Sequence, residues 1–283
     1  MSKQQGMALF QVLLMVAIIS VLLLVMSQQT RHAVAQAQQM QDQVELQLAL
    51  DSAAAYTDTL LLSNDWLRAR NDSSHPLYNL NFYNYPHALS LPERPAYRAL
   101  NYQVQLKLQN EASLLDVNYQ TQYVEDLLVQ LGKPVPEAQR MIRELRNWLQ
   151  RPKQIFIQSL SELATLDEWT LSDVELLRPY VSINAPILNP VWVPDALLPI
   201  LLSQGQAATI ETLRKNNEVT AGLLQEFAGN YDPLDRGIAP AEAQRMQLIA
   251  EPQGLMLYRQ LDYRPRHPNP LRLHAKYFQQ LQR

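Results

Sequence analysis

From Met7 to Met26 the chain carries two polar residues, Gln11 and Ser20, and this run limits what the rest can be. Twenty residues rising 1.5 Å each cover about 30 Å as a helix, the thickness of a bilayer's hydrocarbon. The run therefore predicts a membrane-crossing helix. A cleaved secretory signal would have a shorter apolar core closed by small residues, whereas Met26 is followed by Ser27, Gln28, Gln29, Thr30 and Arg31. Nor does the helix stop with the apolar run. Residues 28–62 contain no Pro or Gly and are rich in Ala, Gln, Leu and Met, which favours one helix continuing outward. Along it Val34, Ala37, Met40, Val44 and Leu48 recur at three- and four-residue spacing. Two readings fit this apolar stripe: burial against the chain's own body, favoured for the distal half where Ala53 to Leu62 is again apolar, and contact with neighbouring copies. Lys3 and the free amine, set against Arg31, bias the start of the chain toward the cytoplasmic side.

The rest is a body of ordinary composition. With 283 residues, 47% hydrophobic and 18% charged, the chain can bury one or two cores. A formal net charge of −3 supplies no broad basic field, so nucleic acid is not an expected partner. No cysteine is present, which excludes disulfides and thiolate metal sites, and seven glycines make neither a phosphate loop nor a nucleophile elbow. The histidines, His32, His75, His87, His267 and His274, are scattered and read as surface residues. Asp167, Glu168, Asp173 and Glu175 lie where helices start, and capping suits them better than acid–base chemistry. The same region, Leu163 to Val181, has a helix-hairpin-helix look, but acidic residues in its connection would repel phosphate, so scaffold or protein contact is expected. No nucleophile, metal or cofactor motif appears, and no enzymatic activity is expected.

Strand periodicity brackets the body. Asn101 to Gln109 alternates Tyr102, Val104, Leu106 and Leu108 with polar residues. Leu255 to Tyr263 follows a Pro252-Gln253-Gly254 turn, and Leu271, Leu273, Ala275 and Tyr277 alternate with Arg272, His274 and Lys276. One antiparallel sheet is expected. Between the strand regions, helical spacing covers Val124 to Leu131, Glu137 to Leu149, Val193 to Leu202 and Ala207 to Asn216, so the helices read as an insertion. The connection from Asn71 to Tyr97, containing YNLNFYNYPHAL, suits either protein contacts or a loop over the sheet edge.

Gly6 followed by Met7 and a long apolar helix resembles the type IV pilin-like proteins, in which a leader ending in glycine is removed by a prepilin peptidase. The resemblance implies a mature amino terminus at Met7, often methylated, on a helix half in the membrane and half against a sheet. Most members carry Glu at the fifth mature position; here it is Gln11. A carboxylate in hydrocarbon is costly unless paired, and in the family it meets the terminal amine of an adjacent subunit. A subunit at the filament's outer end has no such neighbour above it, and lack of this Glu is a trait of the K-type minor pseudopilins of type II secretion. LLDVN at Leu114 to Asn118, Leu131-Gly132, NWLQ at Asn147 to Gln150, QSLSEL at Gln158 to Leu163, LLRPYVSI at Leu176 to Ile183 and LNPVWVPDALL at Leu188 to Leu198 are similar to K-type segments in the same order.

The expected fold is thus α+β: a pilin-like long N-terminal helix packed on an antiparallel sheet, with a large inserted all-α domain. Its expected divisions are a leader at 1–6, a transmembrane part at 7–26, periplasmic helix, loop and first strands at 27–118, the inserted helical domain at 119–245 and C-terminal strands at 246–283. The resemblance implies a single-pass inner-membrane protein with a periplasmic body, at the tip of the secretion pseudopilus, initiating or capping the filament that drives protein export. Implied partners are the I- and J-type minor pseudopilins, the major pseudopilin, the prepilin peptidase, the inner-membrane secretion platform and the membrane. No cofactor is expected. Calcium, which K-type proteins hold on an acidic loop after this tryptophan, meets Leu149, Gln150, Arg151 and Pro152 here, and Asp232 and Asp235 fit no calcium-loop spacing. The alternatives are a minor pilin of a type IV pilus or DNA-uptake system and a signal-anchored periplasmic interaction protein.

Overall fold

The computed structural model describes residues 3–150, 156–183, 185, 188–189, 192–216, 241–264 and 267–281, without the side chains of 3–9, 11, 67 and 204. One helix, α1 (Lys3–Ser63), runs through the apolar start and on into the body without a break. No Pro occurs in it and its single glycine is Gly6, so nothing in its covalent structure interrupts the hydrogen-bond ladder. A short helix, α2 (Trp66–Ala69), follows, with Asp65 accepting from the Arg68 N–H as its N-cap.

Five strands form an antiparallel sheet in the order β1 (His87–Ser90), β2 (Gln103–Asn110), β5 (Ala243–Ala250), β6 (Leu255–Tyr263), β7 (Leu271–Gln280). The neighbours β2 and β5, paired from Gln105↔Ile249 to Asn110↔Gln244, are separated in sequence by residues 111–242. The helices occupy that excursion, as the sequence pattern predicts. They are α3 (Thr121–Gln130), α4 (Val135–Leu149), α5 (Leu171–Leu177), α6 (Leu198–Leu201) and α7 (Gln204–Lys215). A two-residue parallel ladder between β3 (Leu115–Asp116) and β4 (Val181–Ser182) closes the excursion on itself.

Alternation places Leu255, Leu257, Leu261 and Tyr263 of β6 with Val104, Leu106 and Leu108 of β2 in the core. Leu46, Ala49, Leu50, Ala53, Ala54, Thr57 and Leu61 of α1 are buried in the same region, and each fully buried leucine contributes about 1.5–3 kcal/mol. A polar clamp crosses this layer. Asp58 of α1 accepts from Arg259 Nη1 at 3.0 Å, Arg259 Nη2 at 2.9 Å and the Tyr263 hydroxyl at 2.8 Å. Burial, reinforced by the Asp58 carboxylate, pushes the Tyr263 phenol well above its ordinary range.

Several local expectations are revised. Val193 to Leu202 is not one helix: a 3-10 turn at Asp195–Leu197 leads into the four residues of α6, because Pro194 and Pro199 withhold N–H groups and fix the chain at both points. In β7 the expected single apolar face is split. Gln260 pairs with Ala275 but Leu261 with Leu273, so His274 is the extra residue of a bulge and alternation reverses across it. Leu271 and Leu273 therefore face opposite to Ala275 and Tyr277. The Asn71 to Tyr97 connection covers the sheet edge. Leu77, Leu80, Phe82 and Tyr83 are buried, Tyr83 bridges Gln109, and β1 caps the β2 side of the sheet.

Candidate functional site

The most unusual feature of the molecule is how α1 is used. Its buried residues, from Leu46 to Leu61, appear only in the distal part of the helix. Before them the apolar side chains from Val12 to Met26 are all exposed, as is Phe10. Val34, Met40, Val44 and Leu48 are exposed as well, at 58%, 69%, 53% and 62%. The stripe expected to be shared between core and neighbours thus lies on the side of the helix opposite Leu46, Leu50, Ala53 and Thr57, roughly half a turn away at 100° per residue. Val34, Met40, Val44 and Leu48 are thus not covered by the chain's own body, whereas in the distal stretch from Ala53 to Leu62 burial occurs as expected, at Ala53, Ala54 and Leu61. Gly6, Met7 and Gln11 fall in the first turns of α1, and their side-chain surroundings lie outside the described residues.

At the far end of α1 the inserted helices are fastened to the sheet by segments that the sequence singles out. In LLDVN, buried Asp116 accepts from the N–H groups of Asn118 and Ala185, both at 2.8 Å. Burial raises the Asp116 pKa, with those backbone donors and the Tyr119 N–H pulling the other way. Asn118 in turn accepts from the Ile157 N–H at 2.8 Å and donates to the Ile157 carbonyl at 3.2 Å. Leu131-Gly132 ends α3 in a Schellman turn: Gly132 sits at φ 99°, its N–H donates to the Val129 carbonyl and that of Lys133 to the Leu128 carbonyl, both at 3.0 Å.

Of the four acidic residues, Asp173 does cap α5, exchanging bonds with Thr170, and also meets Lys133 Nζ at 2.7 Å. Burial works against the charged form of Asp173, but the bonds from Lys133 and Thr170 outweigh it and hold the pKa below its ordinary value. Glu175 pairs with Arg178. Asp167 and Glu168 cap nothing themselves; their N–H groups are received by the Glu144 carboxylate at 2.7 and 2.8 Å. The hairpin is thus a protein-bound turn, in keeping with the scaffold reading.

A cluster unforeseen from sequence joins the insert to the loop over the sheet edge. Arg214 of α7 is fully buried, donates to Asp195 at 2.7 Å and to the Val193 carbonyl at 2.8 Å, and lies 4.1 Å from the Tyr83 ring centre. Trp192 stacks on Tyr83 and meets Phe82 edge-on, while the Tyr85 hydroxyl donates to Asp195. The clue in sequence was the tyrosine-rich loop; its cation comes from a helix more than a hundred residues later.

Among the described residues no three His, Asp or Glu side chains come together to hold a metal. Residues 151–155 and 217–240, with Asp232 and Asp235, lie outside the described residues. The described residues that follow Trp148, Leu149 and Gln150, carry no carboxylate. His32, His267 and His274 are exposed, and His75 and His87 are half-buried, bonded to Asn64 and to the Pro76 carbonyl.

No family model matches the sequence, and no curated protein matches it significantly. Among solved structures the chain is similar to a chain of the GspK–GspI–GspJ complex of the type 2 secretion system of enterotoxigenic Escherichia coli. Identity is 14%, coverage is 85% of this chain and 99% of that one, and the TM-score is 0.43.

Proposed function

We propose that the chain is a K-type minor pseudopilin of a type II secretion system. In this reading a prepilin peptidase cuts after Gly6, Met7 becomes the mature and methylated terminus, and the run to Met26 holds the protein in the inner membrane with its body in the periplasm. The observation that carries the reading is the division of labour along α1. Phe10, the apolar side chains from Val12 to Met26 and the stripe through Val34, Met40, Val44 and Leu48 are exposed, while the body covers the opposite face of the distal part. An exposed apolar rod of this length needs lipid below and neighbouring helices above.

Position at the tip is supported by two further features. Gln11 stands where a carboxylate would need an amine from the next subunit, and the helices inserted between β2 and β5 add bulk to the body. Their polar ties at Asp116, Asn118 and Arg214 make that bulk rigid. A rigid mass over the end of the sheet would block addition of another subunit ahead of this one. The I- and J-type minor pseudopilins would pack on the α1 stripe, with the major pseudopilin and the secretion platform below.

A photo-crosslinking residue at Leu48 in the full chain, expressed with the I- and J-type proteins, tests this assignment. Crosslinks to either protein from Leu48, and none from a matched site on the exposed surface of α4 such as Arg143, are expected. Crosslinking to neither from Leu48 would refute it. Gln11→Glu should leave assembly unchanged or slightly impaired; a strong gain in assembly contradicts the tip position.

A further inference from the structure

On the face of the sheet turned away from α1, strands β5, β6 and β7 and the insert bound an open groove of about 640 Å³. Its floor is internally neutralised. Glu111 accepts from Arg245 Nε at 2.7 Å, from Gln260 at 2.9 Å and from the Ser182 hydroxyl at 2.9 Å. Arg245 is committed there, since its other nitrogens donate to the carbonyls of Arg178 and Val181.

The rim is different. Arg178, Arg264, Arg272 and His274 stand on it. Arg178 pairs with Glu175 and Arg264 with Asp262, while Arg272 and His274 have no acidic partner among the described residues. The Arg178–Glu175 pair is exposed at both side chains, and such pairs contribute little and are easily exchanged, whereas Asp262, on the groove wall, is buried and keeps Arg264, so two guanidiniums, Arg178 and Arg272, can be presented to an incoming anion. This local positive charge runs against a chain whose net charge is −3. Tyr258, also on the groove, stacks on Tyr277 with ring centres 4.7 Å apart and supplies an apolar shelf. Beside the shelf, β7 is the last strand of the sheet, and its outer backbone edge has no strand partner among the described residues.

We propose that this groove is a docking site for an extended acidic peptide segment of a partner protein. Its carboxylates would pair with Arg178 and Arg272, and its backbone would run along β7. Guanidinium forks match carboxylates in bidentate fashion, and a free edge accepts an extended chain. Lipid phosphate is excluded by distance. Arg272 pairs in register with Asp262, next to Tyr263, whose hydroxyl is bonded to Asp58. Asp58 lies thirty-two residues past Met26, about 48 Å along α1 and far beyond a Debye length of about 8 Å.

The test uses the full chain in detergent and a fluorescent ten-residue peptide of alternating Glu and Thr, with a Gln-for-Glu peptide as control. Anisotropy is expected to report binding of the Glu peptide, weakened about tenfold or more by Arg272→Glu, unchanged by Arg94→Glu, and weaker still for the Gln peptide. Arg272 makes no side-chain hydrogen bond or ion pair among the described residues, but Glu there would face Asp262 across the strands, so Arg272→Gln is the second variant, expected to weaken binding while melting like the parent. Absence of binding, equal binding of the two peptides, indifference to Arg272→Glu, or complete displacement by millimolar inorganic phosphate would each overturn the proposal. No filament is needed, so this test fails or succeeds separately from the assignment to secretion.

Discussion

Consider the clamp between α1 and the sheet. Asp58 receives two bonds from Arg259 and one from Tyr263, and the ion pair is 12% and 7% exposed at its two side chains, so water screens it little. Arg259→Met removes the cation and leaves a buried carboxylate with a single phenol donor, which should cost about 3–5 kcal/mol. Asp58→Leu strands the guanidinium and should cost a similar amount. Replacing both with apolar residues removes the desolvation penalty along with the attraction, so the double variant should fall well short of the sum of the singles. Against a total stability of about 5–15 kcal/mol, either single change uses a large share. Trp66 lies edge-on to Tyr263 with ring centres 5.8 Å apart, so with Trp148, Trp169 and Trp192 replaced by Phe in parent and variants alike its fluorescence reports this junction during a urea titration of the full chain in detergent. Single variants that each lose less than about 1 kcal/mol, or losses that simply add in the double variant, would refute the view that the clamp sets how α1 seats on the sheet.

Gly132→Ala places a side chain at φ 99° where no neighbour crowds it, so the backbone conformation alone is penalised, by about 1 kcal/mol; a thermal melt unchanged from the parent contradicts the Schellman turn. Asp173 is held below its ordinary value of 3.8, so its contribution is present above that pH and is lost as pH falls through the lowered value. Acid unfolding of Asp173→Asn should accordingly be less steep than that of the parent in that window, and identical profiles would count against the Lys133–Asp173 tie.

How much of this was legible in the sequence depended on whether local pattern or distant contact decided the structure. The long helix, α3, α4 and β6 follow directly from periodicity and from the absence or placement of Pro and Gly. β5 starts at Ala243, and its first inward residue is Gln244, fully buried and bonded to the Ala241 carbonyl; a polar residue facing inward hides the beginning of an alternating pattern. β1 has four residues, too few to show a period. The bulge at His274 depends on register with β6, which a single strand's pattern does not contain. The α1 stripe was ambiguous for the same reason, since an apolar face shows that something packs on it and not what. Arg214 beneath Tyr83 required the fold itself, because a lone arginine on an amphipathic helix carries no sign that it will be buried.

That α1 is a processed, membrane-seated filament helix is the central proposal. Its most direct measurement is the intact mass of the protein purified from cells that also express a prepilin peptidase. The predicted result is loss of residues 1–6 with Met7 at the amino terminus, and the full mass in cells lacking the enzyme. A chain that retains its first six residues beside an active peptidase contradicts the account.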